Sequence, residues 1–544
     1  MPPLRASSAE PAQTSEVIST LLESFLGENP RAAVLEDGKL LFDLRFAKYS
    51  LSTEHGRCTL HLWSEDRNLV RRLSAATLRN GILRLSTHRF GQTKPQTLEI
   101  TPDQDRRTPS TREATRTKYL RILDRILQRE FPDWHPEALR TAMDLEKSFG
   151  PAYARGSLVQ GQKAWAVIAV NEEESQSTID GILTLGILWL HHCRESGSGR
   201  RIYQGLRLIV PRGTAALTLS RLAWLNPGAA RWELYELNQS DETLELREAA
   251  DHGNLSTHLF HAPNQAAAQQ RFAEAITRIL ALIPEAARDT VEQQLRTPAE
   301  LSFLIHGLEF ARARTSFSGN SFNQSIEITF GAGPNETPLT PDTEPTLREL
   351  VDRLFVRRTP GGDRKDPLYR MQSERWLESI LRRNITALDD HLDPDHVYSQ
   401  IPAFAGSDRG MMDLLSVTRI TSPQAGRLVV IELKADDDLH LALQGLDYWI
   451  RVRHHHLQTA EYGPGTSFGP YSGLGEFQRH GYFTSLRLSP DTPRLYLAAP
   501  ALRIHPATET ILRYLSPNVD WTLIALDERW RQQLKVVWRK RSGP

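Results

Sequence analysis

The stretch RLVVIELKADDDLHLALQGLDYWIRV, Arg427 to Val452, decides the fold class and poses the functional question. It opens with an apolar run, ends that run on Glu432, Leu433 and Lys434, and passes into a helix-like pattern. Strand side chains alternate between faces, so Glu432 and Lys434 share one face while Ile431 and Leu433 point to the other. A carboxylate and an ammonium at the end of a buried strand are costly unless they are paired or bind something. In the helix that follows, Gln444 and Tyr448 are four residues apart and share a face. Strands and helices alternate in this part of the chain, the pattern of an α/β domain.

Working outward, a second acid lies upstream. GSDRGMMDLLSV puts Asp413 at the start of another apolar run, and TRITSPQAGR between the two runs has the composition of a hairpin turn. A hairpin brings Asp413 and Glu432 onto neighbouring strands. Two carboxylates that close repel unless a cation lies between them, and hard oxygen ligands suit Mg2+ or Mn2+. Lys434 beside them would orient a water and stabilise charge growing on phosphorus. Further upstream, QSERWLESILRRNI reads as a helix burying Trp376, Leu377, Ile380 and Leu381. It offers Glu374 and Glu378, and Glu374 projects nearer to the buried face.

This constellation resembles the PD-(D/E)xK nuclease superfamily, with Asp413 followed by Glu432-Leu433-Lys434 as its E-x-K element. Gln444 and Tyr448 match the Q-x-x-x-Y of the RecB-like branch. The resemblance covers roughly Tyr369 to Lys540 and implies a restriction-endonuclease-like fold with metal-dependent phosphodiesterase activity on DNA. It implies that Asp413, Glu432 and Glu374 hold Mg2+ or Mn2+ and that Lys434 positions the attacking water. Gln444 and Tyr448 would orient the site or the substrate. Family members often take one acid from the first core helix, a place Glu374 fills in preference to Glu378.

The chain also looks written twice. AWAVIAV (Ala164–Val170) echoes RLVVIEL (Arg427–Leu433) at an offset of 263, and Gly181-Ile182 echoes Gly445-Leu446 at 264. Phe46 pairs with Phe310 at the same 264. These echoes predict a tandem duplication of a small β-rich module followed by an α/β domain. The expected segments are a polar N-terminal stretch and helix (1–30), a β-rich module (31–100) and a degenerate nuclease-like domain (112–260). Bridging helices (264–296), a second β-rich module (300–335) and the nuclease domain (366–544) follow. The offsets place Ala169 and Asn171 where the second copy has Glu432 and Lys434. They place Asp180 and Thr184 where it has Gln444 and Tyr448, and PAYARGSLVQGQK holds no acid to match Asp413. One equipped site per chain predicts nicking or exonucleolytic trimming, unless a homodimer forms.

Composition bounds the partners. The chain has 544 residues with 66 basic against 66 acidic side chains, so a polyanion must be met by a local groove and not by a global field. Its two cysteines, Cys58 and Cys193, match no metal-ligand spacing and predict reduced thiols in a cytoplasmic protein. The most apolar stretch, IDGILTLGILWLHH, falls short of the ~20 residues a membrane span needs. No G-x-x-x-x-G-K-[ST] occurs, so a helicase or ATPase motor would come from a separate partner. His454–His456 read as a solvated helix end favoured by the helix dipole. EYGPGTSFGPYSGLGEFQRHGY (Glu461–Tyr482) reads either as a surface loop or as a base-stacking cover for the site. The basic clusters LRRNI, RVRHHH and LFVRRTPGGDRK offer phosphate contacts. Repair and defence against foreign DNA both fit, RNA stays open as a target, and a non-catalytic nucleic-acid-binding scaffold is the rival from another class.

Overall fold

The apolar run before Glu432 forms a central strand, Leu428–Leu433, buried along its whole length in the computed structural model of the chain. The structure describes residues 14–30, 32–36, 39–44, 47–53, 58–64, 68–79, 81–88, 96–102, 109–142, 149–196, 201–248, 257–317, 324–331, 336–405, 408–419, 425–457 and 475–543. By their contacts, 1–113, 265–305 and 309–356 form one unit, and 114–264, 306–308 and 357–544 form another.

In the first unit the helix Ser15–Glu28, capped by the Thr14 side chain, sends Ile18, Leu22, Phe25 and Leu26 into the core of a seven-stranded antiparallel sheet between Ala33 and Thr101. The N-terminal helix is therefore part of this module. A second sheet of five strands runs in sequence order from Val291 to Pro338. The segment expected as bridging helices, 264–296, gives the helices Gln265–Arg271, Ala273–Leu282 and Glu285–Arg288 but ends in the strand Val291–Thr297. That strand pairs with Glu300–Ile305, so this sheet starts before residue 300. VEQQLRT is mostly polar, and its pairing partner is what makes it a strand.

The second unit holds two mixed α/β layers. In the first, α1 (Pro109–Glu130) precedes β1 (His135–Arg140), β2 (Tyr153–Gln160) and β3 (Lys163–Val170). Then come α2 (Ile182–Ser196), β4 (Ile202–Pro211), α3 (Ala216–Leu222), β5 (Arg231–Asn238) and β6 (Thr243–Arg247). In the second, β7 (Thr257–His258) and α4 (Ser373–Arg383) precede β8 (Tyr398–Ala405), β9 (Asp408–Val417) and β10 (Leu428–Leu433). They are followed by α5 (Leu441–Leu457), β11 (Arg494–Pro500), α6 (Pro506–Leu512), β12 (Trp521–Leu526) and β13 (Val536–Arg541).

The two sheets share one topology. Their orders are β6-β5-β4-β3-β2-β1 and β13-β12-β11-β10-β9-β8, with β7 added at the far edge of the second. In each, the three central strands are parallel and the flanking pairs antiparallel. Parallel strands need a crossover, supplied by α2 and α3 in one layer and α5 and α6 in the other.

Glycines let both crossover helices lie close on their sheets. A Cβ at Gly186 would meet Leu206, Leu208 and Ile168 at 2.9 to 3.1 Å, and one at Gly445 would meet Leu497 at 2.4 Å with Leu495 and Glu432 next. Gly186 is thus the counterpart of Gly445, and Ile168 that of Glu432. This corrects the sequence offsets. Glu432 and Lys434 correspond to Ile168 and Val170, not Ala169 and Asn171, because a slip of one residue turns a strand over. Counted from the glycines, Gln444 and Tyr448 correspond to Leu185 and Trp189, not Asp180 and Thr184.

The layers pack through these helices into a common core containing Ile182, Leu190, Leu446 and Trp449. Leu225, after α3, forms an antiparallel bridge with Leu515, after α6. Asn226 N–H donates to the Tyr514 carbonyl and Ser516 N–H to that of Trp224, at 2.8 and 2.7 Å. Arg221 on α3 pairs with Asp447 on α5 through two bonds of 2.7 and 2.8 Å. No helix among the described residues is long and apolar enough to cross a membrane.

Candidate metal centre

The ladder between β9 and β10 pairs Leu414 with Ile431, and one step further puts Asp413 opposite Glu432. Asp413 Oδ2 accepts the Leu433 N–H at 2.8 Å. Glu432 is 1% exposed and its Oε2 makes no hydrogen bond. Lys434 lies just past the end of β10, held by its N–H to the Ala498 carbonyl at 3.0 Å. Its Nζ sits 3.4 Å from Glu432, 3.6 Å from Glu374 and 3.8 Å from Asp438. On the other side of β9, Gln400 of β8 stands across from Asp413 at a φ of +54°, where the ladder pairing skips.

Burial sets the electrostatics. It pushes the carboxyl pKa values of Asp413 and Glu432 up, Glu432 the further because the Asp413 charge adds to it, while Lys434 pulls both back. Burial alone disfavours the Lys434 ammonium, but Glu432, Glu374, Asp413 and Asp438 outweigh it and raise its pKa. The site is an acid pair that must share a proton or meet a cation, beside an ammonium that stays charged.

The structure reverses the expected projection of the two helix acids, with Glu378 on the buried face and Glu374 the more open. Glu374, in the first turn of α4, reaches Lys434. Glu378 is buried one turn on, where it accepts from Gln400 Nε2 at 2.5 Å and pairs with Arg375 at 3.4 Å. Gln444 and Tyr448 lie on the stretch of α5 that passes over β10. Tyr448 is 5% exposed, and its hydroxyl pKa is raised by burial and by the charge of Glu432. Asp438, the last acid of the ADDD run, is half-buried against Lys434.

Other expectations change. His455 points inward, donating from Nδ1 to the Glu476 carboxylate at 2.8 Å and bonding the Thr257 hydroxyl through Nε2 at 3.1 Å, and His456 meets the Asp491 carbonyl. The expectation of a solvated helix end fails at His455, because the helix face that carries it is covered by 257–258 and the helix Glu476–Arg479. Most of the Gly- and aromatic-rich stretch lies outside the described residues, and Phe477 and Tyr482 at its end are buried. Arg358 of the LFVRRTPGGDRK cluster is fully buried and donates to the carbonyls of His306, Leu368 and Met371.

Among the described residues, the tightest group of metal-ligating types is Asp389, Asp390 and His391, with ligand atoms within 4.8 Å. Asp389 there is already held by the Tyr496 hydroxyl at 2.6 Å and the His391 N–H at 3.0 Å. Asp413, Glu432 and Glu374 do not close to that spacing, since the Lys434 ammonium stands between Glu432 and Glu374. Their donor set still fits a hard cation: all oxygen, one buried acid with two half-buried ones beside it, and one buried carboxylate oxygen with no partner.

The equivalent place in the first layer has none of this. Ile168 and Val170 are buried and apolar, and the ladder puts Arg155 opposite Ile168, where the second layer has Asp413. Arg155 is 1% exposed, packs 4.7 Å from the Phe149 ring and 5.8 Å from Trp189, and donates to the Ala142 carbonyl at 2.5 Å. A guanidinium there repels any cation. Neither a protein-family model nor a curated protein matches the chain.

Proposed function

We propose that the protein is a metal-dependent nuclease that hydrolyses phosphodiester bonds in DNA, with a single equipped site in the second α/β layer. In this reading both layers are restriction-endonuclease-like, the products of a tandem duplication, and the first has lost its ligands. The observation that carries it is the Glu432 carboxylate, buried, facing Asp413 and leaving one oxygen without a partner, with the Lys434 ammonium 3.4 Å away. A buried carboxylate with an unsatisfied oxygen, facing a second acid, is costly to keep without a cation.

Asp413, Glu432 and Glu374 would hold Mg2+ or Mn2+. Such an ion supplies Lewis-acid charge and makes a bound water more acidic. Lys434, charged at neutral pH, donates hydrogen bonds to the attacking water and to the phosphoryl oxygens on which charge develops. Tyr448 keeps its proton and donates, and Gln444 beside it helps to hold the substrate-facing side of α5 in place.

The test is cleavage of supercoiled plasmid and of linear single-stranded DNA, with Mg2+ or Mn2+ and with EDTA. Glu432→Ala and Lys434→Ala should each lower the metal-dependent rate by ~10²–10³. Equal cutting by wild type and variants would refute the assignment. Absence of cutting with retained DNA binding would favour a non-catalytic scaffold.

A further inference from the structure

We propose that Arg451 binds a backbone phosphate of the nucleic acid beside the metal centre, an inference that rests on the nuclease reading. Arg451 lies on α5 one turn beyond Tyr448 and is 6% exposed. Its guanidinium is 5.8 Å from the Tyr448 ring and, among the described residues, makes no hydrogen bond or ion pair. Three other buried arginines in this unit are matched. Arg221 is paired with Asp447, Arg207 with Glu233, and Arg358 with several carbonyls. The Arg451 side chain is buried, yet none of its nitrogens is among the buried atoms left without a partner, so the fork still reaches solvent and can take an external anion.

The surroundings say what it meets. Gly410 of β9 lies beneath it, and a Cβ there would be 3.4 Å from Arg451 Nη1 and 3.0 Å from the Tyr448 ring. The missing side chain lets the Tyr448 ring and the Arg451 guanidinium lie close on the strand, which fixes the fork beside the site. Asp413 follows three residues along the same strand, roughly 10 Å away at ~3.3 Å per residue. A planar fork of donors at that distance suits the oxygens of a phosphate neighbouring the one that is cut.

The test is fluorescence anisotropy with a fluorescein-labelled oligonucleotide, single-stranded and duplex, in EDTA so that no cleavage intervenes. Arg451→Gln should weaken binding about tenfold and reduce the salt slope by about one, while Arg451→Lys keeps the slope. Thermal melting separates binding from folding. An arginine with a structural role lowers the Tm when replaced, whereas Arg451→Met should leave the Tm unchanged or raise it. Unchanged affinity and slope in Arg451→Gln would overturn the proposal. So would a Tm rise with inorganic phosphate that needs Arg451 in a protein binding no oligonucleotide, since that describes a free-phosphate site. Plasmid cleavage on the same preparations keeps the two readings apart. Cutting that needs Glu432 but DNA affinity indifferent to Arg451 sinks this proposal alone, and no cutting by wild type sinks the nuclease reading.

Discussion

Asp413 and Glu432 work against the stability of the fold that holds them. Both carboxyl groups are raised by burial, so the folded chain keeps their protons to higher pH than the unfolded chain does. By linkage their contribution is fully present below the ordinary carboxylate range and is lost as pH rises through the raised values. Metal-free Asp413→Asn should therefore melt higher than wild type at neutral pH, with the gap closing toward the ordinary aspartate value of 3.8. Melting curves across that range check it. The two helix acids should also part company. Glu374→Ala is expected to cost ~10–100-fold in metal affinity with the fold intact. Glu378→Ala leaves Gln400 and Arg375 without their acceptor and should lower stability by about 1–3 kcal/mol. Asp413, Glu432 and Lys434 were legible because charges break otherwise apolar runs. Their counterparts in the first layer were not: Ile168 and Val170 look like any buried strand, and Arg155 looks like a surface charge until the ladder places it. Arg451 read only as one member of a basic cluster, since spacing does not show whether a guanidinium finds a partner.

At the scale of elements, α5 is pinned at several points. Its Asp447 is tied to α3 by Arg221, both side chains nearly buried at 9% and 11% exposure. Arg221→Ala would strand the Asp447 charge and should destabilise by about 3–5 kcal/mol, most of it recovered in the double variant with Asp447→Ala. Chemical denaturation of the four proteins measures this cycle. At the other end His455 is held between Glu476 and Thr257, and its pKa is lowered by burial despite the pull of Glu476, with His454 and His480 adding to the fall. A lowered value means the unfolded chain binds the proton first, so this contribution is present above the ordinary 6.5 and is lost as pH falls below it. His455→Gln should flatten the acid side of the Tm profile. The central strands and α5 were readable from apolar periodicity. The edge strands β1, β6 and β13 were not expected, because a strand paired on one side carries sequences such as HPEALR and VVWRKR that show no apolar run.

For the whole molecule the main fact is that one topology occurs twice in one unit, equipped once. The Leu225–Leu515 bridge sets like segments against each other, as the matching surfaces of a two-fold dimer would be. The order of echoes along the chain made the repetition legible. That the two α/β layers share a unit was not, because contacts between distant segments leave no local pattern in a sequence. With Arg155, Ile168 and Val170 in the first layer, the chain should bind one catalytic ion and nick supercoiled plasmid before any linear product accumulates. The most direct test is anomalous scattering from crystals of the full chain soaked in Mn2+. One peak per chain between Asp413 and Glu432, absent in Glu432→Ala, is the predicted result. A peak beside Arg155 or only at Asp389–His391, with none at Asp413, would contradict it.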